Sequence, residues 1–296
     1  MMKTKKAAMT IKPLFMWAGG KSKMVKHYKN LLPMNFDTYI EPFFGGGAML
    51  LTALQINPQA KLVINDVNEG VINIYRGIQC NLEEFLDMMD NLSSQYLPKN
   101  KTERKEFYYK LREEHAFDYQ KYSSVQEAAI LYFLMKTGFN GIWQINKNTN
   151  NRFGTPCGLL TQKTSVYDRQ NVLEWHRILQ DATILHGDYV AALSHITPNS
   201  WLFMDPPYRG GFTKYGTTFD DGKQREVIHA AANSPGEAWV TNRDLGDRFF
   251  EDYIEEVGYP LDIHKFNVTY TAGRRKKTAG GYEAKKAVEL LIIKAP

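Results

Sequence analysis

The sequence predicts an α/β fold, a mainly parallel sheet interrupted by a largely helical insert, and three observations carry that prediction. Residues 38–66 run as short strand, glycine loop, helix and second strand, which is one βαβ unit. Strand-like apolar segments resume only beyond residue 180. Between the two, apolar residues recur at helical spacing and then give way to a stretch rich in Asn, Gly and aromatics.

A lysine-bearing arm (Lys3, Lys5, Lys6, Lys12) leads into Trp17-Ala18-Gly19-Gly20-Lys21. Met24, Val25, Tyr28, Leu31 and Leu32 then follow helical spacing until Pro33 stops them. Thr38 to Glu41 reads as a strand running into Pro42-Phe43-Phe44-Gly45-Gly46-Gly47, Leu50 to Leu54 as a helix, and Lys61 to Ile64 as a strand ending at Asn65-Asp66. From Glu69 to about Lys136 the pattern is helical; residues 137–170 lose periodicity. Further strands are expected at Thr183–His186, Trp201–Met204, Ala238–Thr241 and Val288–Ile293, with helices near 189–194, 220–233 and 244–256. The expected division is a catalytic unit from residues 1–69 and 180–296 and a helical target-recognition insert over 70–179.

Composition excludes several classes. Hydrophobic residues make up 43% of the 296, too many for wholesale disorder. The longest apolar run, Ala128 to Met135, is eight residues, less than half a membrane span. Cys80 and Cys157 make neither a metal-ligand spacing nor a disulfide framework, so a reducing, cytoplasmic setting is expected, with no metal and no membrane. The net charge of +5 favours a polyanionic partner only mildly.

Gly20-Lys21-Ser22 resembles the tail of a phosphate-cradling loop, but the first glycine would fall on Phe15, so that reading fails. Gly45-Gly46-Gly47 follows a strand and opens a helix, and Asp66 lies 19 residues beyond Gly47, where an acid for ribose hydroxyls belongs. The third glycine of a dinucleotide fingerprint would be Leu50, which disfavours a pyrophosphate. A nucleoside cofactor such as S-adenosylmethionine fits better, with Glu41 and Asp66 as acids for its cationic and ribose parts. A plain tight turn with a solvated acid is the other reading.

Asp205-Pro206-Pro207-Tyr208 directly follows the apolar strand Trp201–Met204. Ligands of open α/β sheets bind at the carboxyl ends of strands. Two prolines stiffen the turn and remove two backbone donors. An exocyclic amine on a heteroaromatic ring is a poor nucleophile because its lone pair is delocalised. An acceptor on each N–H draws the nitrogen toward tetrahedral geometry, and a ring such as Tyr208 stacks on the base. Asp as a helix N-cap followed by Pro is the competing reading.

These residues resemble the Dam-type DNA adenine-N6 methyltransferases of bacterial and phage type. The resemblance covers nearly the whole chain, in family order. It runs from Trp17–Lys21 through Glu41–Gly47, Asn65–Asn68, Gly138–Gly141, Arg152–Gly158 and Asp205–Tyr208 to Val288–Leu291. It implies a Rossmann-like methyltransferase sheet, S-adenosylmethionine as cofactor, double-stranded DNA as partner and a flipped adenine as target. Cofactor contacts are implied for Trp17, Ala18, Gly19, Lys21, Glu41, Pro42, Phe43, Gly45, Gly47, Asp66 and Asp188. Asp205 is shared between cofactor and adenine, and acts with Pro206, Pro207 and Tyr208. An N-cap role explains Asp188 equally well.

DNA contacts are expected at the amide- and aromatic-rich loop and at a basic run. By the resemblance Phe139 inserts into the duplex and Asn140 supports the extruded strand; Gln144, Arg152 and Pro156 join them. Amides can bond adenine edges in the major groove. Arg274, Arg275, Lys276 and Lys277 sit between two strand-like segments with glycines nearby, and read as a basic hairpin for phosphates. Members that read GATC usually carry Lys where this chain has Met16 and Arg where it has Gln144, so a different or relaxed adenine-containing target is expected. The chain is expected to act as a monomer without an obligatory protein partner. An RNA adenine methyltransferase and a DNA-binding relative without activity remain alternatives at this level.

Overall fold

The computed structural model describes residues 11–17, 19–141, 143–211, 219–270, 276–278, 281–283 and 285–294. A 3-10 turn (Lys21–Lys23) leads into the short helix α1 (Val25–Tyr28). β1 (Thr38–Glu41) enters the glycine loop, α2 (Ala48–Ile56) leaves it, and β2 (Lys61–Asp66) returns parallel to β1. Then come α3 (Glu69–Cys80), α4 (Leu82–Tyr96), α5 (Lys101–Phe117) and α6 (Ser124–Thr137). A small antiparallel hairpin of β3 (Ile145–Asn146) and β4 (Arg152–Phe153) precedes α7 (Arg169–Leu179). The sheet resumes with β5 (Thr183–His186), α8 (Val190–Leu193), β6 (Ser200–Met204), α9 (Asp221–Ala232) and β7 (Glu237–Asp244). The helix α10 (Phe249–Val257) connects β7 to β8 (Asp262–Tyr270). The strands β9 (Lys276–Thr278) and β10 (Gly281–Glu283) pair antiparallel ahead of β11 (Lys285–Lys294).

The central sheet has seven strands in the order β5-β2-β1-β6-β7-β11-β8. The pairs β5–β2, β2–β1, β1–β6 and β6–β7 are parallel, and β11 runs antiparallel between β7 and β8. Chain order reverses direction across β1, whose neighbours are β2 on one side and β6 on the other. That reversal opens a crevice at the carboxyl ends of β1 and β6, the place where doubly wound sheets bind ligands.

Both faces of the inner strands β1, β2 and β6 are covered, so nearly every residue in them is buried. Alternation along each strand sorts the side chains. Tyr39, Leu62, Ile64, Trp201, Phe203 and Trp239 pack on the face of α2, α3 and α7, whereas Ile40, Val63, Leu202, Met204, Ala238 and Val240 pack on that of α8, α9 and α10. The first of these clusters continues without a break into α4, α5 and α6. The segment 70–179 is therefore fused to the sheet through a shared core, with α3 and α7 serving as layer helices of the sheet itself.

Three sequence expectations change. The helical pattern from Met24 to Leu32 becomes a 3-10 turn and one short helix, because Leu31 N–H and Leu32 N–H both bond back to the Tyr28 carbonyl and the chain turns away. The long helical stretch divides into separate helices, two of them started by capping boxes, Asn100 with Glu103 and Ser123 with Gln126. The segment after residue 257 forms a full edge strand, β8, paired along its whole length with β11. Lys276 and Lys277 lie in β9 of the small terminal hairpin. Ala18, Arg274, Arg275 and the arm through Lys6 lie outside the described residues.

Candidate active site

The glycine loop is shaped by close packing. Gly45 and Gly47 have φ of +49° and +69°, a left-handed conformation that costs other residues strain. A Cβ on Gly45 would lie 2.6 Å from the Trp17 ring, and one on Gly47 2.7 Å from Phe44 and Trp175. Asp66, at the tip of β2, braces this loop: Gly45 N–H donates to its Oδ2 at 2.8 Å and Asn68 N–H to its Oδ1 at 2.9 Å. The Tyr75 hydroxyl donates to the Gly45 carbonyl at 3.0 Å, and the Asn65 amide donates to the carbonyls of Pro42 and Gly187 at 3.0 and 3.1 Å. Phe43 turns to the other side of the sheet and stacks on Tyr189, with ring centres 5.2 Å apart. Asp188 is exposed and its Oδ1 accepts from Val190 N–H at 3.0 Å, so the turn into α8 accounts for it in this structure.

Asp205 follows β6 across the switch point from Glu41. Lys21 Nζ donates to Asp205 Oδ2 at 2.6 Å and to the Gly19 carbonyl at 2.7 Å. The Thr241 hydroxyl donates to Asp205 Oδ1 at 2.6 Å. The same Lys21 Nζ stands 4.9 Å from the centre of the Tyr208 ring, whose hydroxyl donates to Glu289 Oε2 at 2.9 Å. The Pro207 carbonyl accepts from Gln224 Nε2 at 2.7 Å; among the described residues no donor reaches the Pro206 carbonyl.

Electrostatics follow from burial. Desolvation pushes Glu41 well above the usual carboxylate range, against the Tyr39 hydroxyl that donates to its Oε2 at 2.8 Å. Burial raises Asp66 and Asp205 too, opposed at Asp205 by Lys21 and Thr241. Burial also raises the Tyr208 phenol well above its ordinary value, with Asp205 and Glu289 adding to the shift. The crevice thus sets Glu41 and Asp205 near the Lys21 ammonium, where a cationic ligand would favour their ionised forms, and Asp66 stands at the strand tip where such sheets meet a ribose.

The loop of residues 137–158 presents outward. Phe139 is 43% exposed, and its N–H donates to the Pro156 carbonyl at 2.9 Å, which brings these two predicted residues together. Asn140 and Gly141 are both left-handed, with φ of 52° and 59°. Gly154 N–H closes on the Gln144 carbonyl at 2.7 Å. Met16 is exposed and its Cβ lies 2.4 Å from where a Cβ on Gly141 would stand, so it borders this loop. Trp17 meets Trp143 with ring centres 6.0 Å apart, which joins the loop to the glycine turn. Arg152, expected to contact DNA, is partly exposed; its guanidinium pairs with Glu127 and lies 3.9 Å from the Tyr119 ring centre, bracing the hairpin on α6.

Four residues that hold the site escaped sequence reasoning: Thr241, Gln224, Asn242 and Glu289. All four are buried. A signal existed for Thr241-Asn242 and Glu289, which are polar residues inside apolar strands (Trp239-Val240 and Val288-Leu290). Gln224, one polar position among several in α9, carried none.

An open sheet with a glycine loop at its switch point and acids on neighbouring strand tips defines a Rossmann-like α/β protein with a ligand crevice at that point. The chain belongs to the D12 class N6 adenine-specific DNA methyltransferase family, which matches residues 17–271. It is similar to the Type II methyltransferase M.MjaIII of Methanocaldococcus jannaschii, 28% identical across 96% of this chain and 99% of the relative. It is also similar to the Type II methyltransferase M1.LlaDCHI of Lactococcus lactis subsp. cremoris, 26% identical across 97% of this chain and 96% of the relative. The Type II methyltransferase M.CviBI of Paramecium bursaria Chlorella virus NC1A is 31% identical across 70% of this chain and 72% of the relative. Membership gives adenine N6 in DNA as the acceptor and calls for a methyl donor. No helix among the described residues is long and apolar enough to cross a membrane, and no group of three His, Cys, Asp or Glu among them could hold a metal ion.

Proposed function

We propose that this chain, as a cytoplasmic monomer, transfers a methyl group from S-adenosylmethionine to the N6 amine of an adenine flipped out of double-stranded DNA. The observation that carries the reading is the placement of Asp205 beside the switch point, with Lys21 and Thr241 on its two oxygens and Tyr208 next to it. The acid-rich crevice fits the donor: Glu41 and Asp66 would hold its cationic and ribose parts, Trp17, Gly45 and Gly47 the close-packed turn beside it. When bound, that donor supplies a methyl group on a positively charged sulfur, an electrophile that needs no metal.

The chain's own residues do the rest. Asp205 accepts one N–H of the adenine amine, and the Pro206 carbonyl accepts the other. Withdrawing both protons toward acceptors localises the nitrogen lone pair and aims it at the methyl group. Tyr208 holds the base by its ring face. Phe139, set outward by the left-handed Asn140, fills the stack that the adenine leaves. Lys276 and Lys277, with Arg274 and Arg275, contact phosphates.

Met16 and Gln144 stand where GATC readers usually carry Lys and Arg, which supports an adenine-containing target other than GATC, or a relaxed one. Methylome sequencing of a methylase-negative host that expresses the chain tests both halves. N6-methyladenine in contexts beyond GATC is expected. Modification confined to GATC would sink the target reading, and no N6-methyladenine at all would sink the activity.

A further inference from the structure

Behind the Asp205–Tyr208 turn lies a pair of side-chain amides, Gln224 of α9 and Asn242 of β7, 1% and 0% exposed. Asn242 Oδ1 accepts from two backbone donors, Arg209 N–H at 3.1 Å and Arg243 N–H at 2.9 Å. Its Nδ2 donates to Gln224 Oε1 at 2.8 Å, and Gln224 Nε2 donates to the Pro207 carbonyl at 2.7 Å. Amide orientations in a buried network are decided by their partners. Here two fixed N–H groups settle Asn242, Asn242 settles Gln224, and Gln224 must then offer a donor to Pro207.

The chain of bonds therefore has one direction, and it closes around Tyr208. It grips the carbonyl of the residue before and the amide of the residue after, while Glu289 holds the ring's hydroxyl. Because the Pro207 carbonyl is engaged from behind, the Pro206 carbonyl is the one left without a donor among the described residues. We infer that Gln224 and Asn242 are positioning residues for methyl transfer: their directed amide pair fixes the backbone on both sides of Tyr208 and decides which proline carbonyl faces the amine. This rests on the proposed adenine-N6 reaction. Arg209 closes the back of the same turn, reaching Asp221 at 2.7 Å and Asp247 at 2.8 Å with its guanidinium over Phe249.

Polarity gives the test. Gln224→Glu keeps length and shape, but an ionised carboxylate puts an acceptor against the Pro207 carbonyl. Protonation restores a hydroxyl donor there while the other oxygen still accepts from Asn242. The turn should shift at high pH and return at low pH. Displacing a positioned group by even an ångström costs about a hundredfold in rate. At pH 8 the variant should lose about tenfold to a hundredfold in kcat, with KM for DNA and for S-adenosylmethionine little changed. Its kcat relative to the native enzyme should recover as pH falls.

A loss that does not vary with pH, a loss confined to KM, or no loss would each overturn the inference. Should Gln224→Glu fail to fold, Gln224→Met removes the donor without adding charge; it should show the same kcat loss with no pH recovery, and native kcat there would also overturn it. Amide hydrogen exchange at Arg209 reads the clasp without catalysis: it should quicken in either variant, and unchanged protection would overturn the clasp. If the native chain methylates no adenine while Arg209 exchange still quickens, the reaction assignment fails and the clasp survives.

Discussion

The Asp205–Tyr208 turn and the loop of residues 137–158 both lie outside long regular elements, yet they spend their hydrogen bonds in opposite ways. In the first, functional groups are gripped from several elements: Asp205 by Lys21 and Thr241, Tyr208 by Glu289, and the backbone by Gln224 and Asn242. In the second, it is the backbone that is gripped. Arg112 and the Tyr108 hydroxyl donate to the Thr155 carbonyl, the Thr149 hydroxyl to those of Asn146 and Arg152, while Asn148, Asn150 and Asn151 stay exposed. A reaction needs fixed atoms, so the turn has almost no freedom to vary. The base reading proposed for the loop would need a fixed backbone with replaceable side chains, and the loop combines a bonded backbone with exposed amides.

The comparison breaks first, and by the largest margin, at Asp205. Asp205→Ala should lower methyl transfer by about a hundredfold to a thousandfold, the scale of losing a preorganised polar partner, with DNA binding retained. Turnover within tenfold of native in a radiolabelled methyl-transfer assay would remove Asp205 from its place. Glu41→Gln comes next, with about a tenfold loss of affinity for S-adenosylmethionine in calorimetry, as one charge-assisted contact is worth.

Glu41 also carries a pH signature. Burial raises its folded pKa above the unfolded one, so the folded state prefers it protonated. Its stability contribution is present below the unfolded pKa and is lost as pH rises through the folded value. Gln avoids that loss, because the Tyr39 hydroxyl can turn to accept from the new amide. The melting temperature of Glu41→Gln relative to native should therefore climb as pH is raised from the unfolded pKa toward neutrality. A constant difference would show that the charge is not disfavoured there.

The outward loop predicts smaller and different effects. Phe139→Ala should cost about tenfold in kcat/KM and weaken the fluorescence rise of 2-aminopurine placed at the target. Stability should move by less than about 0.5 kcal/mol, as for other exposed positions. A stability loss of several kcal/mol would make Phe139 a core residue instead. Smallest in kcat is the change of Arg274, Arg275, Lys276 and Lys277 to Ala. It should weaken DNA binding across all sequences and flatten the salt dependence by about 0.9 for each phosphate no longer neutralised. A changed sequence preference would move the run from phosphates to bases.

Much of the sheet was legible from the sequence. The expected strands at 38–41 and 183–186 match β1 and β5, and those at 201–204, 238–241 and 288–293 fall inside β6, β7 and β11. Strand alternation and burial on both faces are local consequences of residue type, so they show in any short window. The helix expected from Met24 to Leu32 is cut to the short α1, because Met24 and Tyr28 are buried by a compact turn as readily as by a long helix. The capping boxes at Asn100 and Ser123 were visible and would have divided the long helical stretch correctly.

By itself the sequence determined which acids stand at strand tips, Glu41, Asp66 and Asp205, and that a glycine loop follows the first. Neighbouring sterics and hydrophobic period suffice for that, since strand, turn and helix are settled within a few residues. Only the tertiary structure decided that Lys21 bonds Asp205 across 184 positions and that Arg152 pairs with Glu127. It alone set the direction of the Gln224–Asn242 pair. Those choices depend on which donor meets which acceptor after distant segments are buried together, and no local pattern encodes a hydrogen-bond partner that the chain reaches only by folding.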